Sequence, residues 1–340
     1  PIDQLIKRFT PINFLDKALL NFTNIDFRNW LDQIGIPTYT GSSKRVFPEK
    51  GIKPIEVLNA ILKSLKEKGV IIKYEYTFSD WDSTGNPVIN NKTIQTDYTV
   101  FSLGGASWKV TGSDGNWLDT FSEKGIQTKT FQASNCGYQI NWKPNFIEKH
   151  EGAPLKNITI YCNNVIQKGE AVITKFGLEG NAIYGLSPQI REQLFTNSKA
   201  TVFVDFKPSL TLENIHYKIK LSKYRNTTEI LKKELKLSPS QIDLLKIYLS
   251  KESYLNTETL TKNIKTFPLE IISTASIDEA ISTIGGIDLN AISENFELKK
   301  LSNQFCIGEM LDWDAPTGGY LLQACASTGV YLAKFLNKNN

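Results

Sequence analysis

Methionine is almost missing from this chain: Met310 is the only one, and the first residue is Pro1. Histidine is nearly as scarce, with only His150 and His216. Neither stands near paired cysteines, so no metal site of the Cys/His zinc kind is expected. The four cysteines (Cys136, Cys162, Cys306 and Cys325) are scattered without a C-x-x-C pair. That argues against a dithiol redox motif, and no export signal precedes them that would favour structural disulfides. No apolar run reaches the roughly 18 residues that a bilayer span requires. Charge of one sign is lacking too. The 39 Lys and Arg against 35 Asp and Glu leave a formal +4, too small and dispersed to argue for nucleic acid. The expectation is a soluble cytoplasmic protein, with no membrane or nucleic-acid partner and its oligomeric state open.

With 340 residues, 41% of them hydrophobic, the chain can bury a large core as two domains or as one domain with an insertion. PIEVLNAILKSLKEK (54–68) reads as a helix with Pro54 at its first position, apolar residues at helical spacing and Gly69 as the stop. VIIKYEYTF (70–78) reads as a strand, Ser83–Asn86 as a turn, and TDYTVFSLGG (96–105) as a buried strand ending in glycines. From about 133 to 220, short β-rich pieces such as KNITIYCN and TVFVDF alternate with turn residues, suggesting a small barrel or sandwich. A lysine-rich helical stretch follows to about 264, with a capping box at Ser238-Pro-Ser-Gln241. FPLEIIST then reads as a strand, Ser276-Ile-Asp-Glu279 as the cap of a short helix stopping at Gly285-Gly286, and QFCIG (304–308) as another strand. An α/β pattern that is interrupted and then resumed indicates one discontinuous α/β domain carrying an insertion.

The stretch most suggestive of chemistry is GEMLDWDAPTGGYLLQACASTG (308–329). A strand ends at Gly308, where the absent Cβ permits a tight turn. Asp312 and Asp314 lie in the loop, and Thr317-Gly318-Gly319 opens a helix whose first amides lack partners and carry partial positive charge. Such an end suits an anion or a developing negative charge. A glycine-bearing connection that binds nothing fits the same spacing, and LGGASW (103–108) alone is compatible with a plain turn.

Taken together with LGGASWKVTGSDGNW (103–117), GSSKRVFP (41–48), SNCGYQINW (134–142), GAPLKN (152–157), ITKFGLEGNAIYGLS (173–187) and SIDEAISTIGGI (276–287), that stretch resembles the YhiN/BaiN-type bacterial flavoproteins, NAD(P)/FAD-dependent oxidoreductases. The resemblance runs nearly end to end. It implies a Rossmann-like, glutathione-reductase-type FAD domain, interrupted by an inserted β-rich barrel or sandwich and a small helical module. The implied boundaries are 1–132 and 267–340 for the FAD domain, 133–221 for the β-rich insertion and 222–266 for the helical one.

Carried over, Gly104, Gly105 and Ser107 belong to the loop passing the dinucleotide. Gly308 and Asp312 would bond its ribityl–pyrophosphate part. Thr317, Gly318, Gly319 and Tyr320 would offer amides to the flavin's pyrimidine edge, and Arg45 and Val46 would lie near the flavin pocket. Lys44 stands where the family usually has glycine, which puts that turn's geometry in question. Nothing before Gly41 resembles G-x-G-x-x-G, and a βαβ unit takes about 30 residues or more, so an N-terminally truncated fragment is expected. The implied function is FAD-dependent oxidation or reduction of a small organic molecule, with NAD(P)H the candidate electron donor and no catalytic side chain named. The alternative is a non-catalytic remnant serving as a binding or interaction module. The cysteines are expected to be packed, and the histidines to be structural or on the surface.

Overall fold

The computed structural model describes residues 1–41 and 44–339; Ser42 and Ser43 of the GSSKRVFP stretch, and Asn340, lie outside the described residues. The chain divides into two compact units, one of residues 1–132 and 283–340, the other of 133–282. The return to the first unit therefore comes at 283 rather than at the expected 267.

The first unit is built around a parallel pair of strands, Thr99–Phe101 and Gln304–Cys306, in register Gln304↔Thr99 to Cys306↔Phe101. Phe101 packs with Phe78, Trp81 and Phe121 in a box of edge-on rings, with Phe101–Phe121 centroids 5.2 Å apart and Trp81–Phe121 4.9 Å apart. Gln304 fixes that box. Its Oε1 accepts from Trp81 Nε1 at 2.6 Å and its Nε2 donates to the Gly85 carbonyl at 2.6 Å. The turn at Ser83–Asn86 is organised by Asp82, whose Oδ1 accepts from the Thr84 and Asn86 amides, both at 2.9 Å.

The C-terminal helix, Tyr320–Asn339, packs on helix Asp16–Asn21. Gln323 Nε2 and Ser327 Oγ both donate to the Phe22 carbonyl, at 3.1 and 2.7 Å. Ala324, Ser327 and Thr328 are fully buried, so small side chains let the helices approach closely.

Helix Pro54–Glu67 forms as its pattern predicts. Glu56 closes the first turn by accepting the Lys53 amide at 2.7 Å, and Gly69 follows in the left-handed conformation. Residues 70–77, expected as a strand, are not one; the strand begins at Phe78. Ile71 is 82% exposed and Tyr74 72%. Apolar composition alone does not make a strand where no neighbouring ladder satisfies its amides.

Gly285 and Gly286 do not stop a helix either. Ser276 caps a single 3-10 turn, Ile277–Glu279, and the glycines sit inside strand Ser282–Ile287 with φ of +110° and +96°. A Cβ on Gly285 would strike the Thr130 carbonyl, and one on Gly286 the Met310 carbonyl. These glycines are there for close backbone approach.

In the second unit, a sheet runs in the order Phe267–Ile271, Ala200–Asp205, Pro154–Cys162, Val165–Ile173, Gly177–Glu179, Tyr138–Gln139, Ser273–Thr274. Every pairing is antiparallel. The first and last segments are one strand interrupted only at Ile272, whose amide donates to the Gln139 carbonyl at 3.0 Å. The ladder therefore closes on itself, which removes free sheet edges. Ile158, Ile160, Ile173, Val202, Val204 and Ile271 share one buried cluster with Ile215, Leu244, Leu245 and Ile264 of the helices. The helical stretch is thus part of the barrel's unit, not a separate module.

Closure at the narrow pairing of Gly177–Glu179 with Tyr138–Gln139 depends on Gly177, where a Cβ would overlap the Tyr138 carbonyl. Backbone cannot swing aside as a side chain does. Gly177→Ala is expected to cost about 1–3 kcal/mol, read as a lowered urea midpoint. An unchanged midpoint would contradict this account of closure.

Candidate functional site

Because Thr99–Phe101 and Gln304–Cys306 are parallel, both chains leave the sheet at the same edge, the place where open α/β sheets bind ligands. The first leads into Gly104-Gly105, the second into Gly308; Gly104 and Gly308 have φ of +78° and +77°. The Ile307 amide donates to the Phe101 carbonyl at 3.0 Å, and buried Trp313 donates its Nε1 to the Gly308 carbonyl at 2.7 Å.

Gly105 is forced by packing, since a Cβ there would overlap Thr283 Oγ1. Thr283 joins the two loops. Its Oγ1 accepts from the Ala106 amide at 3.2 Å, and its own amide donates to Glu309 Oε1 at 3.3 Å. Ser113 Oγ donates to the Gly105 carbonyl at 3.0 Å. Ser107 is buried. Trp108, 55% exposed, holds φ at +62°, a conformation that bulky side chains adopt only under constraint. Nearby, the buried Trp117 Nε1 has no hydrogen-bond partner.

Asp312 does not face this edge freely. Its Oδ1 accepts from the Gly285 amide at 3.2 Å and its Oδ2 from Lys129 Nζ at 2.6 Å, while its own amide donates to the Ile287 carbonyl. The carboxylate expected to contact a ligand instead clasps strands Thr128–Ser134 and Ser282–Ile287. The acid beside Gly105 is Glu309, within 3.3 Å of where a Gly105 Cβ would be. Burial raises its pKa, the Thr283 amide opposes that shift, and the charge of Asp314 adds to it.

Beyond the loop, the Gly319 carbonyl accepts the first helical bond, from the Gln323 amide at 3.0 Å. The amides of Tyr320, Leu321 and Leu322 consequently lack intrahelical acceptors. Gly318 and Gly319 are exposed, with φ of +113° and +89°, and no atom lies within 4 Å of a Cβ position on Gly319. At Gly318 the Arg45 guanidinium occupies the space a Cβ would take, so the glycine is what lets Arg45 pack against the helix start.

Arg45 and Val46 come from a hairpin, Thr38–Thr40 with Val46–Pro48, where Thr40 pairs with Val46. Lys44, at the family's glycine position, takes a φ of +60°, so the turn keeps a glycine-like conformation with a residue less suited to it. Thr317 and Tyr320 are half-buried, and the Tyr320 ring meets Phe9 edge-on at 6.1 Å. Arg45, Gly318 and Gly319 are thus brought together at a helix N-terminus, while Gly104, Gly105, Gly308 and Glu309 gather at the strand ends. A helix N-terminus with bare glycines and an arginine favours negative charge.

The cysteines and histidines offer no alternative centre. Burial pushes the Cys162 thiol up to about 11 and Cys325 to about 12, and raises Cys136 and Cys306 as well, so none is a ready nucleophile. His150 is buried against Phe146, its Nε2 2.8 Å from Asp243 Oδ2. Among the described residues no group of three or more His, Cys, Asp or Glu could hold a metal ion, and no helix is long and apolar enough to cross a membrane.

The pattern of the HI0933-like protein Rossmann domain matches residues 1–335. The chain belongs to the HI0933-like family. This bears out the YhiN/BaiN-type resemblance carried by the motifs. A 3-dehydro-bile acid delta(4,6)-reductase of Clostridium scindens is 25% identical over 250 residues, covering 70% of this chain and 61% of its own length. A ribosomal RNA dihydrouridine synthase of Escherichia coli is 21% identical over 320 residues, covering 92% of this chain and 78% of its own. For this HI0933-like chain, the sequence reading passed over Glu309 and Thr283. The available signal was Glu309's place directly after the strand-ending Gly308, nearer the sheet edge than Asp312.

Glu309 makes a pH-dependent contribution to stability. Its pKa is raised in the folded state, so that contribution is fully present below the ordinary value of 4.5 and is lost as pH rises through the folded value. Urea unfolding measured from pH 4 upward is expected to show this loss in the wild type and its absence in Glu309→Gln. Identical pH slopes for the two proteins would contradict the burial of this carboxyl.

Proposed function

We propose that this protein is a flavin-dependent reductase of carbon–carbon double bonds conjugated to a carbonyl, with FAD as cofactor and NAD(P)H as electron source. The observation that carries the reading is the start of helix Tyr320–Asn339, open at Gly319 and with Arg45 packed against Gly318, in the same unit as the paired strand ends. The residues fit a flavin: bare glycine backbone leaves room for a flat ring, and unpartnered amides favour an electron-rich edge. The names of both relatives describe one type of change. A delta(4,6) reduction of a 3-dehydro-bile acid and formation of dihydrouridine each saturate a double bond conjugated to a carbonyl. The substrate class shared by the two is an activated alkene.

When bound, FAD would supply the two-electron chemistry that links oxidation of NAD(P)H to saturation of the alkene, whose second hydrogen arrives as a proton from solvent. The chain's own residues do the rest. Amides at Gly319 and Tyr320, with the Arg45 guanidinium, would hold the ring's pyrimidine edge and favour its reduced, negatively charged state. Gly104, Gly105, Ser107 and Gly308 would let the ribityl and phosphate part pass close to backbone. Glu309, in place of Asp312, would accept a hydrogen bond from a cofactor hydroxyl while the Thr283 amide steadies it. Asp312 would act at a distance, by keeping the two strands that carry Lys129 and Gly285 in place.

Purified protein loaded with FAD and reduced anaerobically by NADPH is expected to be reoxidised by a conjugated enone or by uridine-containing RNA. Mass spectrometry should then show a product heavier by a pair of hydrogens. Reduced flavin that persists with every such acceptor would contradict the reaction class. Gly319→Val places a β-branched residue at φ +89°. It is expected to weaken FAD binding at least about tenfold, because a branched side chain fills the open space at the helix start, and to lower the unfolding midpoint through backbone strain of about 1–3 kcal/mol. Undiminished binding would remove Gly319 from the cofactor site.

A further inference from the structure

The second unit holds a cavity of about 970 Å³ that plays no part in the site above. Four lysines line it, Lys156, Lys168, Lys207 and Lys236, against a single carboxylate, Glu170. None of the four lysines is in an ion pair among the described residues. Some other lysines of the unit do have carboxylate partners, among them Lys149 with Asp243, Lys199 with Glu270 and Lys265 with Asp205. Lys207 is partly withdrawn from water, and its pKa is lowered by that burial and by the nearby charge of Lys236. A cavity lining in which four ammonium groups stand against one carboxylate carries an excess of positive charge that an anion relieves.

Two further features of the wall favour an anion. Helix Pro239–Tyr248 starts there, and Ser238, Pro239, Ser240 and Gln241 all line the cavity. Its positive end therefore faces the space that the lysines surround. Thr159, 1% exposed, lines the same wall, and its hydroxyl is one of the few buried polar side-chain atoms with no hydrogen-bond partner. A buried hydroxyl left without a partner costs stability, which a ligand oxygen would restore. The wall is also shaped locally. Asn157 has a φ of +53°, and the register shifts between Gly169 and Ala171. That bulge re-aims the Lys156 segment against the neighbouring strand.

We propose that this cavity binds a phosphorylated small molecule carrying at least two phosphate groups. Its volume is at the upper end of pockets that enclose such ligands. Its lysines and helix N-terminus suit phosphate oxygens, and the wall offers no exposed aromatic face for stacking a nucleic-acid base: its only aromatic side chains are His150 and Phe206, both buried. Free phosphorylated compounds and the phosphates of an RNA strand share this chemistry, and the test separates them.

Isothermal titration of the full chain with inorganic pyrophosphate, and separately with a short oligouridylate, provides that test. Saturable binding of pyrophosphate is expected. The Lys207→Gln/Lys236→Gln double variant should weaken it at least about tenfold, since two charge-assisted contacts are lost. Lys199→Gln, which removes a lysine outside the cavity, should leave it unchanged. Thr159→Val should weaken binding several-fold without lowering the unfolding midpoint, because that hydroxyl has no partner within the protein. A purely structural threonine would show the reverse. The proposal is overturned by the absence of pyrophosphate binding at millimolar concentration. It is equally overturned by weakening that Lys199→Gln matches, or by binding of the oligouridylate alone. Flavin binding measured on the same variants is expected to be unchanged, so failure here is distinguishable from failure of the flavin reading.

Discussion

The first unit depends on three pairs of residues that join opposite ends of the chain in parallel, from Gln304↔Thr99 to Cys306↔Phe101. Parallel pairing aligns strand ends, and so brings Gly104-Gly105 and Gly308-Glu309 to one edge without either loop recognising the other. The pairing is protected on its flank by Gln304, whose amide group bonds Trp81 on one side and Gly85 on the other. Buried amides left unpaired are costly, so this residue ties the ladder to the aromatic box. Thr283 then couples the two loops, its Oγ1 accepting from the Ala106 amide and its own amide donating to the Glu309 carboxylate. The strand-end part of the site, Gly104, Gly105, Gly308 and Glu309, follows from that alignment.

The distribution of acidic residues shows how a fold separates jobs that sequence leaves merged. Glu309, Asp312 and Asp314 lie within a few positions of each other. Asp312 meets Lys129 and the Gly285 amide, and becomes a clasp between strands. Asp314 accepts from the Ala315 amide while its backbone exchanges hydrogen bonds with Thr10. Only Glu309 is set beside the glycine of the neighbouring loop. Asp312 was the expected ligand-contacting acid because the family resemblance implies it at that position. Which acid faces the edge depends on Lys129 and Gly285, and neither is adjacent in sequence.

Other features were legible where local chemistry decides them. Helix Pro54–Glu67, the turn at Ser83–Asn86, the capping box at Ser238 and the strands leading toward Gly104 and Gly308, shorter than expected at Thr99–Phe101 and Gln304–Cys306, all follow from short-range signals. The discontinuity of the α/β pattern was legible too, though its return point fell at 283 because strand Phe267–Ile271 completes the barrel ladder. Signals that depend on a partner were misread. Residues 70–77 have a strand's composition and no strand to join. Gly285-Gly286 have the look of a helix stop, yet they are needed where the Thr130 and Met310 carbonyls press close. Barrel closure through Ile272 was invisible, because it rests on one strand pairing with two neighbours far apart in sequence.

The central claim is that the helix start at Gly318-Gly319, with Arg45 against it, is a cradle for negative charge on a flavin. The measurement that bears on it most directly is the midpoint potential of FAD bound to this protein, taken by spectroelectrochemistry beside free FAD. Partial positive charge at a helix N-terminus stabilises the reduced, anionic ring, so the bound potential is expected to be higher than the free one, and lower again in Arg45→Gln. A bound potential equal to or below that of free FAD, unaffected by Arg45→Gln, would contradict the account.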